Sequence, residues 1–145
     1  MSIEHSLNIK GEMIPIQHLF DYCAEKCINF NVEDDTSVYL CDWEMWVYLG
    51  EVRPPHNVWE CRAFDIEFTY NSTISFKLGK NPDYWQIQNE FVLEYVFEAM
   101  KAFKREGLFL YCMDTELCYF RADGSVQMND ENDITESMRS IETER

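Results

Sequence analysis

The chain has 145 residues, with 27 Asp and Glu against 12 Lys and Arg, and therefore a formal net charge of −15. This length is typical of a single domain. Hydrophobic residues make up 46% of the chain and aromatic residues 15%, while glycine and proline are few, which excludes wholesale disorder and collagen-like or low-complexity sequence.

The first predicted elements are a strand and a helix. Residues 3–9 alternate between apolar and polar side chains, which is the pattern of a short strand. Pro15 suits the first turn of a helix, and we predict a helix at residues 15–28 because five side chains there form one apolar stripe. These are Ile16, Leu19, Phe20, Cys23 and Cys27.

Strands are predicted for most of the next stretch. A loop at residues 31–37 precedes a strand at 38–49, in which both faces carry apolar side chains, and a further strand follows at 58–64. Alternation on both sides of a turn at 71–72 then predicts a hairpin over residues 66–78.

The longest predicted element is a helix at residues 83–105. Asn81 is a favourable N-cap and Pro82 a favourable first helical residue. Gly107 can adopt the left-handed conformation that commonly follows the last helical turn.

Three short strands, at residues 108–113, 117–121 and 125–128, complete the predicted domain. The acidic segment 129–145 is predicted to be a flexible tail. Strands in runs with few helices indicate the α+β class. We therefore predict a single domain at residues 1–128, with an antiparallel sheet of about five to seven strands and two main helices packed on it.

Six cysteines lie mostly in apolar segments, where we expect buried free thiols rather than disulfides. Residues 1–10 lack the pattern of a signal peptide. No apolar run approaches the roughly 18 residues needed to span a bilayer. We therefore expect a cytoplasmic protein that does not bind membranes.

No motif in the sequence specifies a reaction. The glycines are isolated rather than clustered in a phosphate-binding loop, and the cysteines and histidines lack the spacing of zinc ligands, so no metal or cofactor is predicted. Lys and Arg are few and dispersed, which disfavours direct binding of nucleic acid. Asp42 and Glu44, flanked by tryptophans, are candidates for carboxylates in an apolar pocket.

Acidic charge is concentrated in a segment that also carries aromatic residues. Between Cys27 and Val52 there are six acids and no Lys or Arg, a local charge of −6. Rings can anchor a protein partner while charges steer it. Strand alternation places Trp43 and Trp46 on opposite faces, and Trp46 is the interface candidate. The predicted partner-binding residues, which include an acidic row on the long helix, are Glu33, Asp34, Asp35, Asp42, Glu44, Trp46, Tyr48, Glu90, Glu94 and Glu98.

In size, acidity, fold class and lack of a catalytic motif, the chain resembles the immunity proteins of bacterial toxin systems. The resemblance implies a non-enzymatic inhibitor whose acidic surface occludes the active or nucleic-acid-binding cleft of a basic, nuclease-type toxin. One alternative is a phage-type mimic of nucleic acid that blocks a host defence enzyme. Another is a small-ligand-binding or hydrolytic enzyme that uses pocket carboxylates. The oligomeric state is left open.

Overall fold

A computed structural model describes residues 3–129. Apart from Asn129, the predicted acidic tail at 129–145 lies outside the described residues. The described part contains ten strands and two α-helices, and a short 3-10 turn at Pro82–Tyr84 precedes the second helix. In chain order the elements are β1 (Ile3–Ile9), α1 (Ile16–Glu25), β2 (Phe30–Asp34), β3 (Ser37–Leu40), β4 (Met45–Glu51), β5 (Val58–Cys61), β6 (Ile66–Thr69), β7 (Ser72–Leu78), α2 (Trp85–Phe103), β8 (Gly107–Tyr111), β9 (Thr115–Phe120) and β10 (Val126–Met128).

Eight of the strands form one sheet in the order β10-β9-β8-β1-β7-β4-β3-β2, and β5 pairs with β6 in a second, two-stranded sheet. Every pairing is antiparallel. The predicted α+β class with an antiparallel sheet is confirmed, but the predicted number of five to seven strands is too small. No helix within residues 3–129 has both the length and the apolar character needed to cross a membrane.

Part of the undercount comes from the segment before β4. The predicted strand at 38–49 is two strands, β3 and β4, separated by a four-residue turn, and the predicted loop at 31–37 contains most of β2. Glu44 closes the turn with a positive φ of 51°. Gly79 packs so closely against this turn that a Cβ there would collide with the Glu44 carbonyl oxygen. The turn is therefore fixed by a contact from a distant part of the chain.

The predicted hairpin over residues 66–78 is wrong. Its two strands exist as β6 and β7, but β6 pairs with β5, and β7 lies between β1 and β4. The chain crosses between the sheets at Asn71, whose backbone N–H donates to the Ile9 carbonyl (2.9 Å) and whose side-chain oxygen accepts from the Gly11 N–H (2.9 Å). Alternation identifies a strand but does not identify its partner: β6 pairs with the strand before it, and β7 pairs with strands that are much further away in sequence.

The long helix lies within its predicted range of 83–105 but is shorter at both ends, since it begins at Trp85 and ends at Phe103. The Asn81 side chain accepts a hydrogen bond from the Asp83 N–H at 3.0 Å and so caps the 3-10 turn that leads into the helix, whereas Tyr84 holds the N-cap position of α2 itself. Lys104, with a φ of 49°, takes the left-handed position that was predicted for Gly107. Gly107 instead begins β8, where a Cβ would lie only 2.7 Å from the Met100 sulfur.

The two faces of the large sheet are covered differently. Both helices lie on one face, where side chains such as Leu19, Phe76 and Tyr95 form the main core. On the other face, the β5–β6 hairpin packs over β8 and β9 and buries Phe68 against Leu108 in a second core. Within residues 3–129, the outward side of β2, β3, β4 and β7 has no such cover.

The Glu116 carboxylate ties the β5–β6 hairpin to the large sheet. It accepts hydrogen bonds from the Trp59 indole N–H (2.6 Å) and from the backbone N–H groups of Ala63 (2.9 Å) and Arg62 (3.1 Å). Glu116→Ala would remove all three hydrogen bonds. We therefore expect amide hydrogen exchange to become faster than in the wild type in β5 and β6 but not in β1 and β7, and a loss of about 1–3 kcal/mol in stability. Glu67→Ala, which removes an exposed acid of β6, is the control. Unchanged exchange in the hairpin would mean that apolar packing alone holds it.

Candidate functional site

The uncovered side of β2, β3, β4 and β7 is here called the open sheet face. Along β4, Met45, Val47 and Leu49 are buried beneath the helices, so the intervening Trp46 and Tyr48 project from the open sheet face. Trp46 is half-buried, and Tyr48 is 37% exposed. The pleat of one strand therefore presents two aromatic side chains outward.

A third ring and a cation join them through the pairing of neighbouring strands. Tyr39 on β3 is the cross-strand partner of Trp46, and their ring centroids are 4.9 Å apart. Lys77 on β7 pairs with Trp46 from the other side, with its ammonium nitrogen 5.8 Å from the indole centroid. Cross-strand aromatic pairs and cation–π contacts hold side chains in place, so these contacts order the accessible rings.

Carboxylates border the rings. Glu33 accepts a hydrogen bond from the Trp46 indole N–H at 3.2 Å. The pKa of Tyr48 is raised first by partial burial and then by the negative charges of Glu33, Glu4 and Asp34. The Thr36 backbone N–H donates to Asp34 at 2.8 Å and lowers the pKa of that carboxyl group, which favours its ionised form. The open sheet face therefore combines aromatic surface with negative charge.

Three further predicted residues lie in turns. Asp35 is exposed in the turn between β2 and β3, and Asp42 and Glu44 are exposed in the turn between β3 and β4. The Asp42 carboxylate accepts hydrogen bonds from the Asn29 backbone N–H (3.2 Å) and side-chain amide (3.1 Å). These bonds hold the β3–β4 turn to the residue that precedes β2, so Asp42 has a structural role. Neither Asp42 nor Glu44 is enclosed in an apolar pocket.

The acidic row on the long helix lies on the other side of the sheet. Glu90, Glu94 and Glu98 belong to α2, which covers the face opposite to the open sheet face. Glu90 and Glu94 line a pocket of about 210 Å³ between the two helices, together with Lys26. The structure therefore separates the acidic row on α2 from Glu33, Trp46 and Tyr48, which lie on the opposite side of the sheet.

The two central tryptophans lie on opposite sides, as predicted. Trp43 packs against Phe91 of α2 with ring centroids 5.6 Å apart, and its carbonyl accepts a hydrogen bond from the Gln88 side chain at 2.6 Å. Trp46 lies on the open sheet face. However, Trp43 belongs to the turn before β4 and not to a strand.

Sequence reasoning missed three contributors to the open sheet face, namely Tyr39, Lys77 and Glu4. A continuous strand at 38–49 would have placed Tyr39 and Trp46 on opposite faces, because the side-chain period of a strand is two. Lys77 and Glu4 are cross-strand partners of each other on β7 and β1. Only the strand order β1-β7-β4 brings Lys77 beside Trp46 and Glu4 one strand further away, and no local pattern in the sequence reports that order.

The six cysteines are free, as predicted, but only Cys23, Cys61 and Cys118 are buried. Cys27, Cys41 and Cys112 are exposed. In the described part of the chain, no group of three or more His, Cys, Asp or Glu side chains is arranged to hold a metal ion.

Comparisons with family models, with curated proteins and with solved structures give no match to this chain.

Proposed function

We propose that the chain is a binding protein that neutralises a basic protein partner in the manner of an immunity protein, and that the partner docks on the open sheet face. The observation that supports this most directly is the ordered set of accessible rings formed by Tyr39, Trp46 and Tyr48, bordered by Glu33 and neighbouring acids. The resemblance in size, charge and fold class to toxin-neutralising proteins agrees with it.

The rings and the acids have different tasks in such a complex. Aromatic side chains near the centre of an interface supply much of the binding energy because they lose water when the partner covers them. Carboxylates around them guide the approach of a cationic partner and can raise association rates about 10–1,000-fold. The hydrogen bond between Glu33 and Trp46 supports this division, because it holds a carboxylate directly beside an aromatic ring.

A nuclease-type toxin has the complementary surface. Its nucleic-acid cleft must present Lys and Arg to neutralise phosphates. A rigid sheet that displays carboxylates can occupy such a cleft in place of the phosphates. The acidic row on α2 lies outside this proposed contact area, because it is on the opposite side of the sheet.

Charge reversal on the open side should slow association. The analyte is the basic protein that co-purifies with the chain from its native cells, identified by mass spectrometry. For Glu33→Lys combined with Asp35→Lys, we expect an association rate at low salt that is lower by about tenfold or more, with a much smaller change in dissociation rate. Surface plasmon resonance at several salt concentrations measures both rates.

The matched control reverses two exposed acids on the helical side, Asp21→Lys and Glu90→Lys, and so changes the net charge by the same amount. We expect this control to retain most of the wild-type association rate, and both pairs to retain the wild-type melting temperature. Equal slowing by the two pairs would show that net charge alone guides the partner. An unchanged rate in the Glu33 and Asp35 pair would contradict docking on the open sheet face.

A further inference from the structure

The strand β2 is the last strand at one end of the large sheet, and no other strand of the described chain pairs with its outer side. Its bonds to β3 identify the backbone groups that face outward. The Cys41 N–H donates to the Asn29 carbonyl (3.1 Å), and bonded and non-bonded pairs alternate along antiparallel strands, so Asn31 is the next residue to bond to β3. The N–H and C=O groups of Phe30 and Val32 therefore point away from the sheet.

The side chains of β2 divide between the two faces of the sheet. Phe30 lies on the helical side, where it stacks on Phe20 of α1 with ring centroids 5.3 Å apart. Val32 lies on the same side, since its cross-strand partner Val38 is buried in the main core, and it is 56% exposed, the highest value among the large apolar side chains of the described residues. Glu33 lies on the open sheet face. A strand added beside β2 would therefore meet apolar surface on one face and negative charge on the other.

The negative charge at this edge is not balanced by a neighbouring cation in the sequence. Residues 33–35 are three consecutive exposed acids, and no Lys or Arg occurs in residues 27–52. Lys26 lies on the helical side, with its ammonium nitrogen 5.8 Å from the centroid of the Tyr22 ring. Lys77, on the open sheet face, belongs to β7, three strands away from β2. The charge of an occupant that complements this edge is therefore positive.

Two occupants from this chain have the wrong charge. A second copy of β2 would bring another run of three acids and no Lys or Arg. The segment 129–145 contains six acids against two arginines. The register of β2 shifts between Val32 and Asp34, so regular pairing on the outer side ends at Val32 and the added strand is short. Charge complementarity thus favours a short basic segment of a different protein.

We propose that a basic protein partner adds an extended segment to β2 as a further antiparallel strand, in which Lys or Arg alternates with apolar residues. Directly opposite residues in an antiparallel pair share a face, so the apolar residues of the segment pack beside Phe30 and Val32 and bond to the outward backbone groups of these two residues. The cations of the segment lie beside Glu33 on the open sheet face. Addition of a strand to a free sheet edge is a known mode of peptide recognition. The inference deepens the proposed function and rests on it for the nature of the partner.

The heptapeptide Lys-Val-Lys-Val-Lys-Val-Lys, acetylated and amidated at its ends, tests the inference by NMR titration into the full chain. We expect saturable binding with a Kd on the order of 1 mM or below. The amide protons of Phe30 and Val32 should exchange more slowly in the complex, because they become hydrogen-bonded. The peptide Glu-Val-Glu-Val-Glu-Val-Glu should bind at least about tenfold more weakly, since like charges would then face each other.

Methylation of backbone nitrogens in the peptide separates strand pairing from general attraction between charges. Methyl groups on two valine nitrogens remove donors that face β2, and should weaken binding by about tenfold or more. Methyl groups on the two lysine nitrogens between the valines remove donors that face away from β2, and should change the affinity by less than about threefold. Equal affinities of the two methylated peptides would overturn the inference.

A proline in β2 tests the same contact from the side of the protein. Val32→Pro removes an outward N–H and no bond within the sheet, a position at which edge strands accept proline. We expect it to weaken binding of the Lys-Val peptide by about fivefold or more. Val126→Pro is the matched control at the other end of the sheet, where the Arg121 N–H bonds to the Ser125 carbonyl (2.9 Å) and the Val126 N–H therefore points outward. It should leave peptide binding unchanged.

The outcomes distinguish this inference from the proposed function. Absence of saturable peptide binding, or undiminished binding to a folded Val32→Pro variant, would overturn the inference. A dimer of the wild-type chain that Val32→Pro dissociates in sedimentation velocity would also overturn it, because a second copy would then occupy β2. Peptide binding as expected, together with an unchanged association rate for the Glu33 and Asp35 charge reversal, would contradict only the proposed function. Slowed association without peptide binding would contradict only the added strand.

Discussion

Tyr95→Ala should lower the free energy of unfolding by about 3–5 kcal/mol, the range for removing a fully buried aromatic ring. The Tyr95 side chain is 0% exposed. Its ring lies parallel to that of Phe91 at a centroid distance of 6.0 Å and meets the edges of Tyr22 (5.1 Å) and Phe76 (6.4 Å). It thus joins α2 to both α1 and β7, and its removal leaves a cavity where three elements meet.

Urea denaturation monitored by circular dichroism measures this loss. Tyr95→Phe is the matched control, because it keeps the ring and removes only the hydroxyl group that lies 3.0 Å from His18 Nδ1. We expect the control to cost about 1 kcal/mol, the typical net value of one hydrogen bond. A similar cost for both variants would show that the hydroxyl contact, and not ring packing, carries the contribution of Tyr95.

Acidification should destabilise the protein through His5, by about 3 kcal/mol between pH 6.5 and pH 4. The His5 ring is buried in β1, where Nδ1 accepts a hydrogen bond from the Cys112 N–H (2.9 Å) and Nε2 lies 2.8 Å from the Asn89 side-chain oxygen. Since a backbone N–H can only donate, Nδ1 is unprotonated and Nε2–H donates to Asn89. Burial lowers the pKa of His5 from 6.5 to about 4, and the Asn89 hydrogen bond opposes this shift only in part.

The direction of this pH effect follows from the pKa of His5 in the unfolded chain and in the folded chain. Between pH 6.5 and pH 4, the unfolded chain binds a proton at His5 that the folded chain does not bind, so acidification favours unfolding by about 1.4 kcal/mol per pKa unit. The stabilising contribution of neutral His5 is complete above pH 6.5 and is lost as the pH falls towards 4.

His5→Gln isolates this effect from the other acids. The variant lacks the titrating ring but shares every carboxylate, so the difference between its unfolding free energy and that of the wild type should shrink by about 3 kcal/mol from pH 7 to pH 4. Urea denaturation at half-unit pH steps measures the difference. Parallel curves for the two proteins would contradict a buried neutral His5.

Local signals in the sequence predicted the elements whose formation depends on neighbouring residues. The Asn81 cap and most of α2 could be predicted because a helix satisfies its own backbone groups. The partner of β6 could not, because its pairing depends on how the β5–β6 hairpin packs on β8 and β9. The extra sharp turn before β4 contains no glycine, proline or Asn-Gly pair, and so gave no local signal.

The same turn decides the composition of the open sheet face. The turn interrupts the alternation of side chains between the two faces, so Tyr39 on β3 and Trp46 on β4 share a face. In an unbroken strand they would lie on opposite faces. Of the predicted residues, Glu33, Asp34, Trp46 and Tyr48 lie close together. The acidic row on α2 is not beside them, because the sequence of a helix shows which side is apolar but not which face of a sheet it covers.

The central place of β1 in the large sheet links the beginning of the described chain to its later parts. β1 pairs with β7 on one side and with β8 on the other, so residues 3–9 remain without either neighbour until residues beyond 70 and then beyond 105 have been synthesised. Pairings over such long separations close large loops and slow the search for the native topology. On the ribosome, the halves of this sheet are therefore joined only after most of the chain has emerged, and until then both edges of β1 are open to pairing with other chains.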